Sequence, residues 1–377
     1  MRKLLFVLPA LAIALVAFAR PGASDSALAQ DGSLTLRAGD GESGYSINQF
    51  LPKAITVTEG TTVTWQFPWF EPHTVTIPGN LDPNGPEPEP TLNSTWPNDA
   101  GYLHSGTIFG DPSNPPTFST TFTTAGTYTY ICVIHPNMAG TVTVIPEGEA
   151  ADTQADVDAR GDAEYAENIA AVKAVAAATG ASAGSVTPRD DGTNLYQLAV
   201  GAVDAGGNDA QQFFPATANL KVGDTIEWTN DTMTPHTVTF NGQLLGPPPG
   251  GDPFAFPVSN PGTFTGSELV HSGIIWAIPD PTASKTFELT FGTAGTFQYV
   301  CILHADQGMV GTVNVQQAAT PTSTATPTAT TTTAPKPPNT GTGNDSGLSA
   351  SWLLVIGAAG AFLAAGGAFA TASLRRR

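Results

Sequence analysis

The sequence predicts an all-β protein made of two tandem Greek-key β-sandwich domains joined by a short helical linker. Three observations carry that prediction: an internal repeat, a run of short strand-like segments within each copy, and two-residue alternation along those segments. Phe50-Leu51-Pro52 recurs as Phe213-Phe214-Pro215, Gly60 as Gly223, and Trp65 as Trp228. Pro72-His73-Thr74-Val75-Thr76 recurs as Pro235-His236-Thr237-Val238-Thr239, all at one offset of 163 residues. Further on, Leu103-His104-Ser105-Gly106 answers Val270-His271-Ser272-Gly273, and Thr124-Ala125-Gly126-Thr127 answers Thr293-Ala294-Gly295-Thr296. The offset there is 167 and then 169, so the second copy carries extra loop residues. Self-similarity over a stretch this long, occurring only twice, marks a duplicated domain and not a solenoid.

Within the first copy, 54–58, 62–67, 74–77, 117–123, 127–134 and 141–145 are rich in Val, Thr, Ile and aromatics and are interrupted by Gly or Pro. Such segments read as short antiparallel strands. In Tyr128-Thr129-Tyr130-Ile131-Cys132 every second side chain is expected to face the core. Long Pro/Gly-rich insertions, about 78–116 and 242–283, separate the halves of the copies, and loops of that length are uncommon unless functional or packed over a surface.

The repeats set the domain bounds at 30–147 and 195–317, with 148–194 between them. Residues 156–179 are rich in Ala, Glu and Asp, with Gly180 as the expected C-terminal stop. Tyr165, Ile169 and Val172 recur at i, i+4 and i+7, a narrow apolar stripe. The segment reads as a helix docked on one or both sandwiches, or as an exposed acidic linker of weak helicity.

The ends address the chain. Arg2 and Lys3 precede an uncharged run from Leu4 to Ala19, and Ala27-Leu28-Ala29 offers a cleavage site, the layout of a secretory signal peptide over 1–29. The alternative, a permanent N-terminal membrane helix, suffers from a run short for a span. Residues 318–350 begin as an almost unbroken Thr/Pro/Ala/Ser tract, which predicts an extended stalk. The uncharged stretch 351–374 is long enough to cross a bilayer, and Arg375-Arg376-Arg377 would keep the tail 375–377 inside. Pro337-Pro338-Asn339-Thr340-Gly341 ahead of the span resembles a sortase sorting signal, with Pro338 in place of the family's Leu. A plain C-terminal membrane anchor is the simpler expectation.

The whole chain carries 32 Asp and Glu against 14 Lys and Arg, a net charge of −18. Between residues 30 and 340 the balance is 30 against 8, a net of −22. That field disfavours nucleic acid and suits a cationic partner surface such as the basic face of a cytochrome, or simply the soluble surface of an exported protein. The chain has two Cys, 169 positions apart. Export would permit a disulfide, but each Cys sits in the same context of its own repeat, so each is expected to work alone.

That context carries the chemistry. The first copy reads Cys132-Val-Ile-His135-Pro-Asn-Met138 and the second Cys301-Ile-Leu-His304-Ala-Asp-Gln-Gly-Met309. His73 or His236 lies some sixty residues upstream on another segment. Two imidazoles, a thiolate and a weak thioether are the donors of a trigonal copper–thiolate site with a long axial bond. Sulfur donors suit Cu(I), and imidazoles tolerate Cu(II). Both Cys and four of the six His fall into this pattern. His104 and His271 fall outside it and are read as ordinary loop-end residues, and Met233 is read as packing.

Both copies resemble the plastocyanin-type cupredoxins over roughly 34–145 and 196–315. The first loop has the Cys-x2-His-x2-Met spacing of the amicyanin group, and the second has the Cys-x2-His-x4-Met spacing of plastocyanin and pseudoazurin. The resemblance implies metal-ligand roles for His73, Cys132, His135 and Met138, and for His236, Cys301, His304 and Met309. It implies two copper ions per chain, electron transfer without substrate turnover, and redox partners such as cytochromes or membrane oxidoreductases. One departure stands out: where these relatives commonly carry Asn after the upstream His, this chain has Thr74 and Thr237. A hydroxyl there is expected to retune the site by hydrogen bonding rather than abolish it.

Other functions fit less well. A multicopper oxidase or nitrite reductase needs His-x-His or His-Cys-His pairs for further copper, and neither pair occurs. A binuclear copper-A centre needs two Cys in one loop. A surface protein that stores copper, or that uses the fold structurally, fits the stalk and anchor as well as a carrier does.

Overall fold

The segments rich in Val, Thr and aromatics become strands because every second side chain finds an apolar face. In Thr117–Phe122 the buried residues are Phe118, Thr120 and Phe122, and in Ala139–Ile145 they are Gly140, Val142 and Val144. The computed structural model describes residues 32–82, 86–92, 94–246, 252, 254–279 and 283–317. The predicted signal peptide, stalk, membrane span and basic tail lie outside the described residues. Among the described residues no helix is long and apolar enough to cross a membrane.

The fold is mostly β, with a single α-helix among the described residues, and each repeat is a two-sheet sandwich. In the first repeat one sheet runs Tyr45–Leu51, Ser33–Glu42, Thr62–Gln66, Thr117–Phe122 and Thr95–Trp96. The facing sheet runs Ala54–Thr58, Ala139–Ile145, Gly126–Ile131, Thr76–Ile77 and Leu103–His104. The second repeat copies both orders. Trp65 packs between Phe118 and Tyr130, with ring centroids 6.1 and 5.2 Å away. Trp228 lies 6.0 and 5.4 Å from Phe287 and Tyr299.

The sheets are mixed, not purely antiparallel as expected. Ser33–Glu42 pairs in parallel with Thr62–Gln66, and Ala54–Thr58 with Ala139–Ile145. The reason is the path of the chain. After Tyr45–Leu51 it crosses to the other sheet for Ala54–Thr58 before returning as Thr62–Gln66, so the parallel neighbours are not joined by hairpins. The long insertions also acquire structure. In the first repeat, the insertion supplies Thr95–Trp96 and Leu103–His104 to the two sheet edges and pairs Ile108–Phe109 with Pro72–His73.

The two repeats share a sheet. Tyr45–Leu51 pairs antiparallel with Asp209–Phe214 through Ser46 opposite Asp209 and Tyr45 opposite Ala210, giving an 11-stranded sheet across both sandwiches. The polar residues of these two strands are buried at the junction. Asn48 Nδ2 donates to the Asp209 carboxylate at 2.7 Å and to Gly207 O at 3.0 Å. Asn208 Oδ1 accepts from the Asn48 amide at 3.0 Å, and Gln49 Nε2 donates to Gly206 O at 2.7 Å.

The helix runs Gln154–Ser182, within the expected linker and a few residues beyond each end of the 156–179 stretch expected to be helical. Thr153 caps it, with a reciprocal hydrogen bond from its backbone amide to the Asp156 side chain. It does not stop at Gly180. It continues until Ala183 turns extended and Gly184 takes φ 84°. Ile169, Val172 and Ala176 pack with Ile47, Leu51, Ala202, Ala210 and Phe214, so the helix docks on both repeats at once. Its narrow stripe suffices because it covers only the seam between them.

Asn48→Ala would leave Asp209 and Gly207 O short of a donor at that seam. The expected outcome is a lower urea midpoint, corresponding to a loss of about 1–3 kcal/mol, with an unchanged denaturant slope. A midpoint equal to that of the parent would show the junction to be indifferent to this pairing.

Candidate metal centres

Each site is assembled where one sandwich ends. Strand Gly126–Ile131 delivers Cys132 at its tip, and the loop after it folds back on itself. The Cys132 amide donates to Met138 O at 2.9 Å, and the Met138 amide to His135 O at 3.3 Å. Asn137 makes the return in the left-handed region at φ 71°. In the second repeat the Cys301 amide donates to Met309 O at 3.2 Å, and the Met309 amide to His304 O at 3.1 Å. There Gly308, at φ 94°, makes the return. Met138 and Met309 are buried at 1% and 0% exposure, in the cores of their repeats.

The upstream histidines come from the facing edge. His73 lies in the two-residue strand Pro72–His73, and His236 in a bridge to Ile275. His73, Cys132 and His135 converge, as do His236, Cys301 and His304, with the potential ligand atoms of each group within 4.8 Å of one another. In the second group His236 Nδ1 and His304 Nδ1 are 3.1 Å apart, and Cys301 Sγ lies 3.9 and 3.4 Å from them. The circumcentre of that triangle is about 2.0 Å from each atom. That matches a first-row metal–imidazole bond of roughly 2.0–2.1 Å. In the first group Cys132 Sγ is 3.7 Å from His135 Nδ1, and the two imidazole centroids are 4.8 Å apart. Both ring nitrogens of His73 are buried with no hydrogen-bond partner. A metal ion would satisfy one of them, and buried polar atoms otherwise find partners.

The two Cys are free and buried. Burial pushes the Cys132 thiol up, but the hydrogen bond with His135, together with the closeness and charge of the His73 and His135 rings, brings it down to about 4. Burial opposes ionisation of Cys301 too, and the charge of His304 and bonds with both imidazoles hold it well below the ordinary thiol value. A preformed thiolate is the species a soft metal binds. The donor set, its spacing and the unpartnered imidazole all fit a copper–thiolate centre.

Around these atoms sits a second set of bonds. The Thr74 and Thr237 amides point at Cys132 Sγ and Cys301 Sγ, at 3.4 and 3.3 Å. Their hydroxyls accept from the Val133 and Ile302 amides, each at 2.9 Å, so the threonines tie the upstream His to the Cys loop. Thr76 and Thr239 continue the chain at 3.2 Å to each of those hydroxyls. His271 follows with Nδ1 2.9 Å from Thr239 Oγ1, and His104, with Nδ1 2.8 Å from Thr76 Oγ1, carries on through Nε2 to the Glu87 carboxylate at 3.2 Å. These two buried histidines brace the strands outside the ligand clusters. Met233, expected to pack, is instead 59% exposed.

Sequence reasoning missed several residues here. Gly39 and Gly201 take φ of 78° and 70° at bulges in their strands. A Cβ on them would stand 2.2 Å from His73 Nε2 and 2.4 Å from His236 Nε2. Only glycine lets the backbone pass that close to the imidazole. The pairs Ala38-Gly39 and Val200-Gly201 are too short a signal to find unaided.

Glu71 was missed as well. It belongs to the first repeat but serves the second. It is 6% exposed, and its Oε1 lies 3.4 Å from His304 Nε2. The same oxygen accepts from Gln211 Nε2 at 2.5 Å and Gln307 Nε2 at 3.0 Å. Burial would raise the pKa of Glu71, yet the charge on His304, the Gln307 amide and then His135 and His73 hold it below the usual value. His304 is in turn raised to about 9: burial lowers it, but Cys301 and then Glu71 more than compensate. Gln307 is one of the two residues by which the second loop is longer. It accepts from Ser46 Oγ at 3.0 Å through its side chain and from the Gly44 amide at 2.7 Å through its backbone.

A pair of Greek-key sandwiches, each with a buried His/Cys/His triangle ahead of a buried Met, defines a duplicated blue-copper-type protein. Comparison with known proteins agrees. The plastocyanin/azurin family of copper-binding proteins matches residues 40–145 and 199–316. Chloroplastic plastocyanin of Tetradesmus obliquus is 30% identical over 123 residues, 33% of this chain and 68% of that protein. Plastocyanin of Scenedesmus fuscus is 29% identical over 104 residues, 28% of this chain and 86% of that protein. A solved structure of a reduced amicyanin variant is 24% identical, with 32% of this chain and 88% of that one covered and a TM-score of 0.22. The chain belongs to the plastocyanin/azurin family of copper-binding proteins.

The threonine ties yield a test. Thr237→Val keeps the shape but leaves the Ile302 amide unpaired, and is expected to destabilise the metal-free protein by about 1 kcal/mol. Thr237→Ser should restore most of that loss, as read by thermal melting.

Proposed function

We propose that this chain is an extracytoplasmic electron carrier with two type 1 copper sites, held at the membrane by its C-terminal span. The observation that carries the reading is the pair of buried His/Cys/His triangles. Within the second, three donor atoms surround a point at metal-bonding distance. His73, Cys132, His135 and Met138 would hold one copper ion, and His236, Cys301, His304 and Met309 the other. Bound copper would supply a one-electron Cu(I)/Cu(II) couple.

The residues of the chain prepare that couple. Each Cys is held toward its thiolate form by neighbouring imidazoles, and the proton that those rings keep beside it would be the one released when metal binds. The threonine bonds and the close glycine backbone fix the upstream imidazole, and the hydrogen-bonded return of each loop fixes the Met. A rigid donor set keeps reorganisation small, which suits fast one-electron exchange. His104 and His271 are each occupied by a threonine of their own repeat, which supports a carrier rather than an oxidase built on further copper ions. Cytochromes or membrane oxidoreductases with a basic face are the expected partners, given the acidic chain.

Copper-loaded protein is expected to be intensely blue when oxidised, to bleach with mild reductant, and to contain two copper ions per chain. Cys132→Ser and Cys301→Ser should each remove one ion and spare the other, measured by metal analysis with optical spectra. A colourless protein whose two Cu(I) ions resist oxidation would turn the reading toward storage.

A further inference from the structure

The two clusters are not independent. The carboxylate of Glu71 touches the outer nitrogen of His304, while Glu71 itself stands two residues ahead of His73 on the same backbone. His304 directs Nδ1 inward to Cys301 Sγ at 3.4 Å and Nε2 outward to Glu71. The contact is sealed: His304 is 4% exposed, Gln307 4%, and Gln211 0%. The repeat does not demand this. At the offset of 163, the counterpart of Glu71 is Thr234, whose hydroxyl is turned to Asp209 at 2.6 Å. The counterpart of Asp209 is Ser46, which is bonded to Gln307.

We propose that Glu71 is a positioning residue shared between the two repeats, which holds the His304 imidazole of the second metal centre and couples that centre to the first through Glu71-Pro72-His73. The proposal rests on the copper reading above for its redox consequences, but not for its structural one. Held by Glu71, His304 keeps its Nε2 proton and offers Nδ1 to the metal, the arrangement by which a carboxylate orients a metal-bound histidine. One carboxylate oxygen of Glu71 accepts from two side-chain amides and faces the His304 imidazole, a donor set that suits a carboxylate, and removal of one partner from such a buried group is costly. The carboxylate lies 3.4 Å from the outer nitrogen of His304, which belongs to the second cluster. It therefore favours the more positive, oxidised state of that centre and lowers its potential. Were both sites loaded, an electron lost by copper in one repeat would be gained by copper in the other, and the Nε2 proton would stay on His304.

The test compares full-length parent protein with Glu71→Gln and Glu71→Ala, with Glu147→Gln as a surface control. Metal-free protein, labelled with nitrogen-15, reports whether the His304 Nε2 proton is protected from solvent exchange. Protection should persist in Glu71→Gln, which keeps an acceptor oxygen, and be lost in Glu71→Ala. In copper-loaded protein, Glu71→Gln should raise the second potential more than the first, assigned with the single-site Cys132→Ser and Cys301→Ser backgrounds. After one-electron photoreduction, redistribution between the centres should slow in Glu71→Ala and be rescued in Glu71→Gln. Equal shifts of both potentials, or proton protection and redistribution unchanged in Glu71→Ala, would overturn the proposal. Should Glu71→Ala fail to fold, the unequal shift in Glu71→Gln decides. Failure of the parent to bind copper would sink the carrier reading, while the proton-protection comparison still decides the positioning role.

Discussion

Everything in this molecule hangs on the joint where Tyr45–Leu51 and Asp209–Phe214 pair edge to edge. An exposed strand edge is an invitation to associate with another chain, and here each repeat closes the other's edge. The side chains that pack the joint are Ser46, Asn48, Gln49, Asp209 and Gln211, all with exposure of 2% or less. The side-chain nitrogens of Asn48, Gln49 and Gln211 all donate across the joint, while their amide oxygens are buried with no hydrogen-bond partner. A polar joint of this kind is directional. An apolar seam would allow the sandwiches to slide, whereas these bonds fix one register and so fix which ligand loop faces which element.

That orientation explains why two copies of one domain carry different ligand loops. In the second loop the two additional residues bring Gln307 to Glu71 and Ser46, while its backbone takes the Gly44 amide. The shorter loop of the first repeat has no residue to match, and its Pro136 O lies near Gly207 of the second repeat. A duplicated domain that docks on its twin starts with equivalent surfaces. Once one copy supplies the acid and the other the longer loop, the pair acquires a sense, and neither half remains a complete description of its own site.

The sequence made the ligand clusters legible and the joint illegible, for one physical reason. Cys132, His135, Met138 and their second-copy counterparts are rare residue types at fixed spacing, repeated in register, and chemistry restricts what such a set is good for. The alternating strands Ala54–Thr58 and Ala139–Ile145 were likewise visible, because their buried positions are apolar. Tyr45–Leu51 and Asp209–Phe214 were not, because burial there falls on Ser, Asn, Asp and Gln, which hydrophobic periodicity reads as solvent-facing. Glu71 was hidden in the same way: a carboxylate is assumed to be exposed until the structure supplies the amides that satisfy it. The helix was found, yet its end was misplaced, since a single Gly inside a well-docked helix costs only about 1 kcal/mol and tertiary contacts carry the chain past it.

The joint also decides how each cluster meets the outside. His304 is buried, and its outer nitrogen is engaged by Glu71. His135 is only half-buried, and its loop neighbours Val133 and Ile134 are 46% and 40% exposed. The edge through which the second imidazole would otherwise face solvent is therefore turned onto the first repeat, while that of the first remains near the surface. Since Glu71 leads along the backbone into His73, the residue that covers His304 is joined directly to the other cluster. A chain folded in this way presents one His/Cys/His cluster near the surface and a second covered by the first repeat, rather than two equivalent clusters.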